Sequence, residues 1–200
     1  ETGLAIGTPV SVGTIDAAAE AVSVGVRGPG EAMLMYGSTV FIVAVTEARV
    51  RDPRLWYAPW LTPGTHAAMA GLATSGTLTH WFRDNFAREL GAEAFATLAA
   101  EAGAVPAGAE GLVLLPYFSG ERTPIHDPFA RGVLFGLNLT HGRAHVYRAL
   151  LEGIACGTAH ALEAMAEAGA GPAVLRAVGG GTRNPVWLQA TSDVAGLPQV

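Results

Sequence analysis

Two hundred residues with a net charge of −5, half of them hydrophobic and only 14% charged, fit one large domain, or one domain plus a piece of another, around a sizeable core. All twelve basic residues are Arg and they are scattered, which excludes a nucleic-acid footprint and, with no Lys, a Walker A loop or the strand lysine of protein kinases. No apolar run approaches the roughly 20 residues that span a bilayer, so no membrane partner is expected, and the lone Cys156 allows no internal disulfide and points to a reducing, cytoplasmic setting.

Residues 4–15 read as a short strand and a loop. Asp16 then opens an alanine-rich helical run to about Val26, where it is a natural N-cap. Ala32–Tyr36 and Thr39–Thr46 are β segments joined at Gly37-Ser38, and a hairpin is the simplest arrangement. Residues 48–64 form a loop with a short third strand nearby, and His66–Gly71 suits a further strand. Ser75 to about Leu90 has helical spacing, with Leu78, Trp81, Phe82 and Phe86 on one side, and a second helix runs through Glu93–Ala102. Leu112–Leu115 reads as a buried strand, 116–131 as an irregular polar loop, and Arg143–Ala168 as a long helix interrupted at Gly153. The apolar run Val174–Val178 gives way to Gly179-Gly180-Gly181, then to Asn184-Pro185, a good N-cap followed by the residue favoured at the first helical position. That helix runs to about Ala195, and residues 196–200 look like the entry to another strand. Three β segments followed by alternating helix and strand predict an α/β domain with a mixed sheet flanked by helices.

Several of these stretches can carry chemistry, and each also has a purely structural reading. Strand–Gly-Gly-Gly–helix brings backbone N–H groups and a positive dipole end close to a ligand, which suits phosphate, but glycine loops also merely turn corners. Asp16 is either a helix cap or a carboxylate placed to take a proton from a hydroxyl. Gly37-Ser38-Thr39 is either a hairpin turn or a loop wrapped over phosphates. Gly76 and His80 are four apart on one helix face, either in an ordinary amphipathic helix or beside a nucleoside slot. Arg122 suits an anion, while Glu121 next to it could neutralise an Arg elsewhere. His141 and His145 have metal-pair spacing but no third ligand beside them, so no metal site is expected. Glu152, mid-helix, reads as the anchor of a buried polar network.

Taken together, Gly13-Thr14-Ile15-Asp16, Tyr36-Gly37-Ser38-Thr39-Val40-Phe41, Leu115 through Pro124, Gly132–Leu137 continuing to His145–Gly153, and Gly179-Gly180-Gly181 resemble the FGGY carbohydrate kinases, most of all the xylulose kinases. The resemblance covers nearly the whole chain, and its most specific part is Gly132–Gly153. It implies the actin-like ATPase (ribonuclease H-like) fold and transfer of a phosphoryl group from ATP, with Mg²⁺, to a sugar hydroxyl. Asp16 falls on the family's catalytic base, Gly37 and Ser38 on its second phosphate loop, and Gly76 and His80 on the helix start lining the nucleotide. Gly180 falls on the adenosine-side glycine loop, Asn184 on the adenine-contacting polar residue, and Phe41 where some relatives touch substrate.

The family's first phosphate loop, an Asp-Gly-Thr turn in an N-terminal domain, is not in this chain. The expectation is that residues 1–15 are the tail of that domain and 16–200 a C-terminal nucleotide-binding domain, incomplete at its end and inactive alone. The expected partners are a small sugar, a ketopentose such as xylulose, and the N-terminal domain; a homodimer is plausible. A catalytically inactive nucleotide-binding or regulatory module of the same fold is the alternative.

Overall fold

The computed structural model describes residues 2–200; Glu1, the first residue of the expected 1–15 tail, lies outside them. Residues 2–15 are exposed coil with one turn rather than a short strand. Pro9 has no amide to give a ladder, and Gly3 and Gly7 hold positive φ, which interrupts an extended run.

The sheet is built from strands that are apolar on both faces. Strand β1 (Glu31–Tyr36) pairs antiparallel with β2 (Val40–Thr46), setting Tyr36 opposite Val40 and Met35 opposite Phe41. The short β3 (Trp56–Pro59) lies at one edge on β4 (His66–Leu72), which pairs antiparallel with β2. β1 also pairs in parallel with the strand over Val174–Val178, the last of the five, in the spatial order β3-β4-β2-β1 and then that strand. Beyond it, Gln199 makes an isolated parallel bridge to Leu175, outside the five strands.

Alternate residues feed two cores. Leu34, Tyr36, Ile42, Ala70 and Leu72 face helices α2 (Gly76–Phe86), α3 (Ala94–Gly103), α4 (Arg143–Glu167) and α5 (Pro185–Ala195). Met33, Val43, Val45 and Met69 face α1 (Asp16–Ser23) and Trp60. Two buried faces explain why these strands read as continuous apolar runs rather than a clean in–out alternation.

Local boundaries differ from the sequence pattern in five places. α1 ends at Ser23, not Val26, because Gly25 and Val26 turn back and donate to Val22 and Ala21 in a Schellman-type closure. Ile15 occupies the N-cap of α1; Asp16 is the first helical residue, and its Oδ1 accepts the Ala17 amide at 2.8 Å. α2 stops at Phe86, where Ala87 adopts φ −149°, and a 3₁₀ turn over Arg88–Glu93 leads into α3. The expected buried strand is β5 (Val113–Leu115), which pairs with β6 (Val133–Phe135) in a separate two-stranded ribbon; only Leu114 is buried, and Val113 and Leu115 are exposed. α4 runs unbroken through Gly153, where a Cβ would stand 2.3 Å from the Leu114 carbonyl oxygen, so this glycine seats the ribbon on the helix instead of interrupting it. The parallel strand over Val174–Val178 is β7.

Candidate active site

The β1–β2 turn is clasped by the start of α2. Gly76 N donates to the Gly37 carbonyl at 2.9 Å, and Ser75 N and Thr77 N both donate to the Ser38 carbonyl at 3.1 Å. The Thr77 hydroxyl adds a third bond to the Ser38 carbonyl at 2.8 Å. A Cβ on Gly76 would sit 2.5 Å from Gly37 O, so only glycine lets the helix come this close. The clasp uses the turn's carbonyls and leaves Ser38 exposed.

The glycine triplet divides its work. Gly179 has φ +101°, and a Cβ there would meet Tyr36 O at 2.6 Å. At Gly181 a Cβ would meet the Trp187 ring at 2.6 Å and Tyr36 Cβ at 2.8 Å, whereas Gly180 faces open space. Two glycines therefore pack the loop onto β1 and α5, and the middle one is left for a ligand. Residues Gly180–Arg183 form a 3₁₀ turn, and Asn184 caps α5 by accepting the amides of Val186 and Trp187 at 3.1 and 3.2 Å.

Between turn and triplet lies a cavity of about 560 Å³, within the size range of small-molecule sites. Gly37, Ser38, Gly76, His80, Gly180 and Asn184 all line it. So do residues that spacing did not single out: Phe95, Ala96 and Ala99 of α3, Tyr147 of α4, Tyr36 of β1, Thr79, Arg183 and Trp187. His80 meets Phe95 edge-on at 4.9 Å between ring centroids, and Tyr36 meets Trp187 in the same manner at 5.0 Å. The small side chains Ala96 and Ala99, three apart on α3, were the one available hint of a flat wall. Burial pushes the hydroxyls of Tyr36 and Tyr147 up to about 12. Tyr36 donates to Gln199 Oε1 at 2.6 Å. Among the described residues, Arg183 is the only permanently charged side chain on the cavity wall, and no carboxylate lines it.

Asp16 and Phe41 do not line this cavity; they belong to the sheet's other face. Phe41 packs with Met33, Val43 and Val45 against α1, and its ring lies 6.1 Å from Trp56. Asp16 is exposed at the end of α1 remote from the 24–30 turn that feeds β1, and it has no ion-pair partner among the described residues. The β1–β2 turn, Gly37-Ser38, ends the sheet between the two faces.

The remaining polar candidates hold structure. Glu121 pairs with no Arg: it is 5% exposed, and its Oε1 accepts the amides of Ala73 at 2.8 Å and Arg122 at 2.6 Å, tying the polar loop to the residues just before α2. Its Oε2 is buried without a partner, and burial pushes the carboxyl upward despite the two amides. Glu152 anchors a polar network, though a half-buried one rather than the buried one expected, accepting the Gly108 amide at 3.0 Å and Arg148 Nε at 2.5 Å. His141 and His145 turn Nδ1 toward the amides of Asn138 and Gly142, at 3.1 and 3.0 Å, and so cap backbone ahead of α4.

Residues 32–200 match the C-terminal domain of the FGGY family of carbohydrate kinases. The chain is 32% identical over 196 residues to a xylulose kinase of Bacillus subtilis (97% of this chain, 39% of that protein). It is 38% identical over 178 residues to a glycerol kinase of Aromatoleum aromaticum (86% of this chain, 35% of that protein). A crystal structure of xylulose kinase from Rhodospirillum rubrum superimposes with a TM-score of 0.92 and 40% identity, covering 99% of this chain and 40% of that one. The chain thus spans about two fifths of the length of the relatives it matches. The shared fold, a mixed sheet between helix layers, is that of the actin-like ATPases.

Proposed function

The chain belongs to the FGGY family of carbohydrate kinases, and from that premise we propose that it is the nucleotide-binding portion of a kinase that moves a phosphoryl group from ATP to a sugar hydroxyl. One observation carries the reading: six residues picked out separately along the chain line a single cavity. Among the described residues its wall holds one Arg and no carboxylate, in a chain whose net charge is −5, which favours a polyanionic ligand.

In this reading Gly180 and Asn184 hold the nucleoside, with Gly76 and His80 opposite, and the Gly37-Ser38 turn holds phosphates. Phosphoryl transfer has a loose transition state, so positioning and charge neutralisation carry most of the rate. Asp16, exposed and unpaired, takes the sugar hydroxyl's proton as the new O–P bond forms, and ADP leaves with the electrons of the bond that breaks. Such a base contributes roughly 10²–10⁴-fold. Phe41 touches the sugar from the same face of the sheet. Among the described residues no three His, Cys, Asp or Glu gather around an ion site, which suits Mg²⁺ carried on the triphosphate's own oxygens. When bound, Mg²⁺ neutralises charge developing on the transferred group.

The sugar is a ketopentose, an inference supported by the likeness of the 119–124 loop to xylulose kinases. The whole protein is cytoplasmic, with an N-terminal domain that brings the other phosphate loop and closes over the sugar. The 200 residues alone bind nucleotide weakly and turn nothing over. A coupled kinase assay on the chain extended to its relatives' length, against a panel of sugars and polyols, tests this. ATP consumption dependent on a pentulose supports the proposal, and consumption with none of the panel leaves the inactive-module alternative.

A further inference from the structure

Asn184 caps α5 with its oxygen. The amides of Val186 and Trp187 both point at Oδ1, at 3.1 and 3.2 Å, and two N–H donors can face only an oxygen. The cap therefore decides which way the carboxamide is turned, and Asn184 has only its Nδ2–H groups left to offer. The neighbouring polar side chains at the start of α5 are donors too. Arg183 has five N–H groups and no acceptor, and the indole N–H of Trp187 is buried without a partner.

We propose that this wall selects a nucleotide through a ring-nitrogen acceptor that all purines share, and does not read the exocyclic amine that distinguishes adenine. The inference rests on the nucleotide reading above and makes it specific. A site that hydrogen-bonds a substrate N–H rejects analogues lacking it by large factors, because the site's own acceptor is left unpaired. At Asn184 the acceptor is already paired to the helix, so replacing the 6-amino group by a carbonyl oxygen leaves nothing on this residue unsatisfied. Hypoxanthine keeps the ring acceptors N3 and N7.

The test is titration of the 200-residue chain with ATP and with ITP, followed by amide chemical shifts, which read dissociation constants into the millimolar range. The expected result is that the two constants agree within about threefold, the discrimination of a site that leaves position 6 unread. A tenfold or greater preference for ATP overturns the inference while leaving the nucleotide reading in place; no binding of either overturns both. The second arm is Asn184→Asp, which keeps both caps because Asp serves as well as Asn at this position, but removes the donor. Adenosine, which has no phosphate for the new charge to repel, should lose at least tenfold in affinity while the melting temperature holds. Unchanged adenosine affinity in that variant overturns the donor role.

Discussion

The amide of Gly76 lies 2.9 Å from the carbonyl oxygen of Gly37, and a side-chain carbon on Gly76 would lie 2.5 Å from that same oxygen. Helix α2 and the β1–β2 turn are thus held at a separation that only a glycine permits. Overpacking a tight contact costs about 1–3 kcal/mol, so Gly76→Ala should lower the urea midpoint by a corresponding amount. The same variant should weaken ATP binding, since the turn it displaces carries Ser38. Wild-type stability and ATP affinity in Gly76→Ala would show that the clasp does not set the turn.

The two later glycines of the triplet should respond in opposite ways to the same methyl group. Gly180→Ala places it in open space, so the melting temperature should hold while nucleotide affinity falls. Gly181→Ala drives it into the Trp187 ring and Tyr36, so stability should fall by about 1–3 kcal/mol. Thermal melts and nucleotide titrations on both variants separate the ligand-facing glycine from the packing one.

Asp16→Asn tests the proposed base in the chain extended to its relatives' length. Turnover should drop by roughly 10²–10⁴-fold, the range for loss of a general base. ATP affinity should be unchanged, because Asp16 stands outside the cavity. Turnover within a few-fold of wild type would remove Asp16 from the mechanism.

Glu121 predicts a pH dependence of stability. Burial raises its folded-state carboxyl above the ordinary glutamate range, so the folded chain holds a proton that the unfolded chain releases. Stability from this group is complete below the unfolded value and declines as pH rises through the folded one. Glu121→Gln keeps a side-chain acceptor for the Ala73 and Arg122 amides and has nothing to titrate. Urea midpoints measured from pH 4 to 7 should therefore fall less in Glu121→Gln than in wild type. Parallel profiles would assign the decline elsewhere.

What lay open in the sequence was whatever adjacent residues decide among themselves. The Gly37-Ser38 hairpin, the 3.6-residue spacing of α2 and the Asn184-Pro185 start of α5 rest on backbone preferences and side-chain bonds that reach only a few positions. Phosphate and nucleoside candidates were legible for the same reason, because glycine loops and helix starts are local objects. Only tertiary packing could bring Phe95, Tyr147 and Trp187 to one cavity with them, put Asp16 and Phe41 on the opposite face, and leave Gly180 open between two glycines that are filled. It also decided that Glu121 is buried on backbone amides and that Val113–Leu115 pairs into a half-exposed ribbon. Those outcomes depend on which surfaces meet across the sheet, and such meetings are set by the burial of many distant side chains at once, which no short stretch of chain encodes.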